Sequence, residues 1–263
     1  MKKINLLLCL PLLGIILFSC QNPSPKEEPK NNDAMLYSTL YVQNAAEYRA
    51  LCIQAYQIGQ MRLDEKINNY VGYKKFAVVV DIDETVLDNS PHAARSIIEN
   101  TNYPKYWDEW CSKAEALAIP GSAEFLNYAA EKGVETFYIS NRKAHLTEVT
   151  LKNLQLRGFP FADQDHIMLR TDSRDKEIRR NMVRNDYDIL LYFGDNLGDF
   201  LTEFDDQSTV TRNDLVNKLS SQFGDDFIML PNPTYGAWMS AMTHGTDATA
   251  KIDSVYRTKL KNF

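Results

Sequence analysis

The sequence predicts an α/β fold, a parallel sheet with helices on both faces. Three observations carry that prediction. Five short apolar runs recur along the chain, with amphipathic stretches between them. The first run opens "VVVDIDETVLDNS", Val78 to Ser90, and leads straight into Asp81, Asp83, Glu84 and Asp88. Parallel sheets bind ligands beyond the carboxyl ends of their strands, which is where these acids fall. A length of 263 residues with 44% hydrophobic content suits one elaborated α/β domain or two small ones.

The N-terminus stands apart from that domain. Lys2 and Lys3 precede an apolar run from Ile4 to Phe18, shorter than the roughly 20 residues a membrane span needs. Residues 1–19 read as a secretory signal. Leu17-Phe18-Ser19-Cys20 resembles a bacterial lipobox, in which Cys20 is lipidated and becomes the first residue. Plain signal cleavage with Cys20 incidental is the other reading. A lipid would anchor the chain in the cell envelope without spanning the membrane. Gln21, rather than Asp, permits the outer membrane of a Gram-negative bacterium by resemblance to sorting there. Residues 20–34 are rich in Pro, Asn and charge and read as a flexible tether.

Apolar residues at three- and four-residue spacing predict helices from Met35 to about Asn69, within an N-terminal helical segment, 35–72, that packs with the cap. The core, 73–245, then alternates predicted strands and helices. The strands are Phe76–Val80, Val134–Ile139, His166–Leu169, Ile189–Phe193 and Phe227–Leu230. The helices are Lys143–Arg157, Asp175–Arg184, Gly198–Phe204 and Asn213–Gln222. An aromatic-rich insert, about 88–120, breaks the rhythm and reads as a small helical cap, with Asp88 and Asn89 capping its helix. A C-terminal helix occupies 246–263. Cys52 and Cys111 fit no metal motif and are either paired or two buried thiols. A net charge of −6 with no basic block argues against a nucleic acid polymer as partner.

The polar strand ends should meet on one rim. They are Asp81-Ile82-Asp83-Glu84-Thr85, Ser140-Asn141-Arg142, Asp175-Lys176 and Gly194-Asp195-Asn196, with Asp199 close behind. Asp81, Asp83 and Asp195 crowd negative charge that a hard divalent cation relieves, and Mg²⁺ needs only a few protein oxygens. A cation, a lysine, a hydroxyl and loop amides form a cradle suited to a phosphoryl group. As an EF-hand loop starting at Asp81, the run fails at Val86 and His92.

"DIDET", "ISNR", Lys176 and "GDNLGDF" resemble the four ordered motifs of the haloacid dehalogenase superfamily, whose fold is a Rossmann-like parallel sheet with a cap. "DIDETVLDNS", the lipobox and "LPNPTYGAW" resemble more narrowly the class C acid phosphatases, bacterial lipoproteins of the e-type 5′-nucleotidase group. That resemblance implies roles. Asp81 is the nucleophile, Asp83 the general acid and base, and Lys176 the pair of nucleophile and phosphate. Ser140 and the Asn141 backbone bind phosphate. Mg²⁺ sits on Asp81, the Asp83 carbonyl and Asp195, with Asp199 acting through water. Two aromatics clamp a nucleobase; Tyr235 matches one, and Trp107, or else Trp110, is the other. The substrates implied are small phosphomonoesters, hydrolysed with an acidic optimum, and the assembly implied is a homodimer. A phosphotransferase, or a non-catalytic lipoprotein holding a flat ligand such as a nucleotide or haem, are the alternatives.

Overall fold

In a computed structural model, residues 35–246 and 252–263 are described. The expected signal segment, Cys20 and the tether lie outside the described residues. The chain opens with α1 (Leu36–Asn44) and α2 (Ala46–Asn68), then β1 (Lys75–Val80). The insert follows as β2 (Leu87–Asp88), α3 (Ser90–Ile98), α4 (Trp107–Lys113) and β3 (Leu117–Ala118). The chain returns with α5 (Ser122–Glu131), β4 (Val134–Lys143), α6 (Thr147–Leu156), β5 (Ile167–Arg170) and α7 (Glu177–Asp186). It closes with β6 (Tyr187–Gly194), α8 (Thr209–Lys218), β7 (Phe227–Met229), α9 (Ala237–Met242) and α10 (Ile252–Thr258).

The main sheet is parallel in the order β5-β4-β1-β6-β7. Winding proceeds outward from β1 through β4 to β5, then reverses to β6 and β7. A crevice therefore opens at the carboxyl end of β1, between β4 and β6. Alternate β1 side chains face opposite ways. Val78 and Val80 join the larger core with Tyr56 and Leu63 of α2, Phe125 of α5 and Leu154 of α6. Ala77 and Val79 join a smaller one with Phe137 and Val183 of α7. Helices thus cover both faces, as the apolar runs predict.

Several elements differ from expectation. The first helical stretch is two helices, broken where Ala45 turns extended. The strand expected at Val134–Ile139 runs on to Lys143 through Ser140, Asn141 and Arg142, with a register shift against β5. Helix α8 starts at Thr209, because Ser208 caps it by accepting from Thr211 N–H at 3.2 Å. Gly198–Phe204 is not an α-helix; short 3-10 turns lie at Leu197–Asp199 and Thr202–Phe204. The insert adds an antiparallel β2–β3 pair to its helices. Among the described residues no helix is long and apolar enough to cross a membrane.

Candidate active site

Asp81 follows β1 directly. Its N–H donates to Phe193 O of β6 at 3.0 Å, so the last rung of the ladder fixes the backbone of that residue. Beyond it Val86 and Leu87 N–H both donate to Ile82 O, and Glu84 sits at φ +56°, which folds the acids of "DIDET" into one tight turn. Tyr56 of α2 holds this turn from behind, its hydroxyl donating to Thr85 O at 2.7 Å. Thr85 Oγ1 in turn donates to Asp195 Oδ1 at 3.1 Å, and Asn232 Nδ2 to Asp195 Oδ2 at 2.8 Å. Gly194 has no side chain for a steric reason: a Cβ there would run into the Asp199 carboxylate. Asp199 closes a reciprocal cap with Asn196, whose N–H donates to Asp199 Oδ2 at 2.9 Å.

These elements bring Asp81, Asp195 and Asp199 together, one oxygen from each lying within 4.8 Å of the others. Oxygens of an octahedral Mg²⁺ shell stand about 3 to 4.2 Å apart, so the three carboxylates are gathered to nearly the span of one hard cation's shell. Lys176, buried just before α7, bridges two of them: Nζ lies 2.5 Å from Asp81 Oδ1 and 2.7 Å from Asp199 Oδ1. One lysine cannot neutralise three acids. Burial pushes the Asp81 carboxyl up to about 7 against the pull of Lys176. Burial, with Asp199 and Asp81 beside it, lifts Asp195 well above the carboxylate range. Burial also works against a charged Lys176, but Asp199 and Asp81 outweigh it and hold its pKa above the ordinary value. The residues present therefore fit a divalent cation by donor type, spacing and unmet charge.

The Asp83 carboxylate lies outside that cluster. Its Oδ1 accepts from Arg142 Nε at 2.9 Å and Asn89 Nδ2 at 2.8 Å, and forms an ion pair with Arg142 Nη2 at 2.7 Å. Its Oδ2 lies 3.5 Å from Ser140 Oγ. Ser140 is buried late in β4, its carbonyl accepting from Arg179 Nη1 at 2.5 Å. The Asn141 side chain is turned to Arg179 Nη2, at 2.7 Å. Glu84 is buried, accepts from Asn89 N–H at 2.8 Å, and burial raises its carboxyl well above the usual range.

Trp107 is 8% exposed and packs edge-on against His92 and Tyr103. The exposed ring near Tyr235 is Trp238, whose Nε1 donates to Tyr235 O at 3.1 Å; the two are 41% and 40% exposed. A cavity of about 420 Å³ opens beside Asp195, lined by Leu51, Ile58, Asn232 and Trp238 among others. Asn89 does not cap α3 with its side chain; the Asp88 carboxylate accepts from Ser90 N–H at 2.8 Å instead. Cys52 and Cys111 are separate buried thiols. Tyr56, Asn89, Arg179 and Asn232 are site residues that sequence reasoning missed, and Arg142 was read without a role. The polar end of β4 is the available signal for Arg142, and the motifs DIDETVLDNS and LPNPTYGAW for Asn89 and Asn232; Tyr56 and Arg179 have none in local pattern.

Fold and site together define a phosphatase of the haloacid dehalogenase type, with Asp81 directly after β1 at the switch point and an acidic cluster crossed by a lysine. More narrowly, the chain belongs to the HAD superfamily, subfamily IIIB (acid phosphatase), whose family model matches residues 20–238. Two structures of the class C acid phosphatase from Bacillus anthracis resemble it closely. The one with tungstate bound is 45% identical, with a TM-score of 0.85 over 89% of this chain and 99% of that one. The other is 45% identical, with a TM-score of 0.84 over 88% and 98%. Among plant proteins, vegetative storage protein 1 of Arabidopsis thaliana is 27% identical over 48% of this chain and 49% of its own. A stem 31 kDa glycoprotein of Glycine max is 27% identical over 60% of this chain and 58% of its own. The chain thus spans about half the length of these plant relatives.

Proposed function

We propose that this protein is a Mg²⁺-dependent acid phosphatase that hydrolyses small phosphomonoesters, nucleoside 5′-monophosphates among them, through an aspartyl-phosphate on Asp81. The observation that carries this reading is Lys176 bridging Asp81 and Asp199 at the carboxyl end of β1, beside Asp195. A Lys⁺ on one carboxylate oxygen fixes the nucleophile and leaves its other oxygen to attack phosphorus. Asp83, held by Arg142, gives a proton to the leaving alkoxide and then takes one from the hydrolytic water. Ser140 and the Asn141 backbone orient the transferring group. Asp81, Asp195 and the Asp83 carbonyl would hold Mg²⁺, with Asp199 supporting its water; the ion would supply charge to the phosphoryl oxygens. Tungstate is a tetrahedral oxyanion of phosphate's shape, so its presence in the Bacillus anthracis relative supports a phosphate site here. Tyr235 and Trp238 flank the place for a flat leaving group.

Cys20 as a lipid anchor in the cell envelope, in the outer membrane of a Gram-negative bacterium, belongs to the same proposal, since an exported enzyme would meet nucleotides outside the inner membrane. The storage names of the plant relatives keep a non-catalytic role in view, and an assay decides. A panel of phosphomonoesters at several pH values, with Mg²⁺ or with chelator, should give phosphate release that needs the metal and peaks on the acid side. No release from any ester, or release that rises steadily into alkali, would overturn the reading. Added alcohol that diverts product from free phosphate would convert it to a phosphotransferase.

A further inference from the structure

We infer that Arg142 and Asn89 are positioning residues for Asp83, and that Trp110 of the inserted segment completes the clamp. The cap would then act on the chemistry through the proton-transfer carboxylate, besides whatever it does for substrate. The inference rests on the reading of Asp83 as general acid and names what sets its aim.

Arg142 Nε and Asn89 Nδ2 both donate to the same oxygen of Asp83, Oδ1, and Arg142 Nη2 lies 2.7 Å from it. Charge-assisted bonds of this kind are short and directional, so the carboxylate cannot rotate without breaking them together. Oδ2 is left facing Ser140 Oγ, the side on which the phosphoryl group would sit. The donors are themselves held. Arg142 has a side chain 1% exposed, donates through Nη1 to Thr150 Oγ1 at 3.2 Å, and lies 5.5 Å from the Trp107 ring. Asn89 can present either end of its amide, and its neighbours decide which. Its Oδ1 accepts from Trp110 Nε1 at 2.9 Å and from Arg142 Nη2 at 3.2 Å, which turns Nδ2 onto Asp83. An indole N–H can only donate, so Trp110 forbids the flipped amide that would put oxygen against oxygen. The buried end of β4, the turn after β1 and α4 of the insert meet in this one network.

The test compares an alkyl substrate, a nucleoside 5′-monophosphate, with p-nitrophenyl phosphate, whose leaving group departs with little help from an acid. The quantity is kcat/KM, which reports the steps up to phosphoenzyme formation and excludes the shared hydrolysis of that intermediate. Asp83→Asn should lower the alkyl value by roughly 10²–10⁴-fold and the aryl value far less. Trp110→Phe, which keeps the ring and removes the N–H, and Asn89→Ala should each lower the alkyl-to-aryl ratio by roughly ten-fold, the scale of one lost hydrogen bond. If Asp83→Asn changes the ratio while Trp110→Phe and Asn89→Ala lower both substrates equally, or neither, the clamp is refuted and the general acid stands. If Asp83→Asn leaves the ratio unchanged, the general acid itself is refuted and the clamp with it.

Discussion

Four carboxylates at the end of β1 take four different environments. Asp81 meets Lys176 and the acidic cluster, Asp83 meets Arg142, Glu84 is buried with a raised pKa, and Asp88 accepts from the start of α3. Lys176 and Arg142 come from far along the chain, whereas Asn89 and Ser90 sit in the same run; motif reading reaches Lys176 but gives Arg142 and Asn89 no such role, because which carboxylate each one meets is set by the folded turn. Asp195→Asn keeps the shape, and the bond from Thr85, but halves the hard-ligand charge. It should leave folding intact and weaken Mg²⁺ by at least roughly ten-fold, the lower range for loss of a supporting group, as read by activity against metal concentration. Unchanged metal dependence would remove Asp195 from the site.

Secondary structure was most legible where burial is two-sided. Phe76–Val80 and Ile189–Phe193 read as apolar runs because parallel strands are covered on both faces. Apolar patterning alone stops β4 at Ile139, and Ser140, Asn141 and Arg142 read as a polar strand end, because these residues continue the strand while serving the site. The helix expected at Gly198–Phe204 fails for a definable reason. Arg180, one helical turn after Lys176 on α7 and fully buried, takes Gly198 O at 3.2 Å and Asp199 O at 2.7 Å, carbonyls that a continuing helix would need. The start of α7 thus holds Asp199 twice, by carboxylate through Lys176 just before it and by backbone through Arg180 within it. Arg180→Met should leave both carbonyls unpaired and cost about 1–3 kcal/mol for each group stranded, seen as a lower denaturation midpoint. No loss would show that water replaces the guanidinium. Gly194→Ala, driving a methyl into Asp199, should impair activity more than its small size suggests; a near-normal rate would mean that the loop yields easily.

Across the fold, the acidic cluster ties stability to pH and metal. A buried acid with a raised pKa favours the folded state while protonated. For Asp81 that stability is present below the ordinary carboxylate range and is lost as pH rises through about 7. Asp195 acts in the same direction. A divalent cation needs both carboxylates ionised, so its binding should release protons and stabilise more at pH 8 than at pH 5. At a hundred-fold excess over Kd the gain is about 2.7 kcal/mol, roughly 5–10 °C in Tm for a chain of this size. A metal-induced shift equal at both pH values would contradict the electrostatics of the site. The order of the motifs made the sheet and its rim readable beforehand. The support that α2 lends through Tyr56 was not, since a helix before β1 carries no mark of where it will pack.

The nucleophile is tested most directly by trapping it. The enzyme is mixed with a labelled phosphomonoester and Mg²⁺, quenched in acid, and the label mapped by peptide. Label should appear on the peptide bearing Asp81 in the wild type and vanish in Asp81→Asn, with phosphate release falling by about 10³-fold or more. Label on another residue, or undiminished release from the Asn variant, would contradict the assignment.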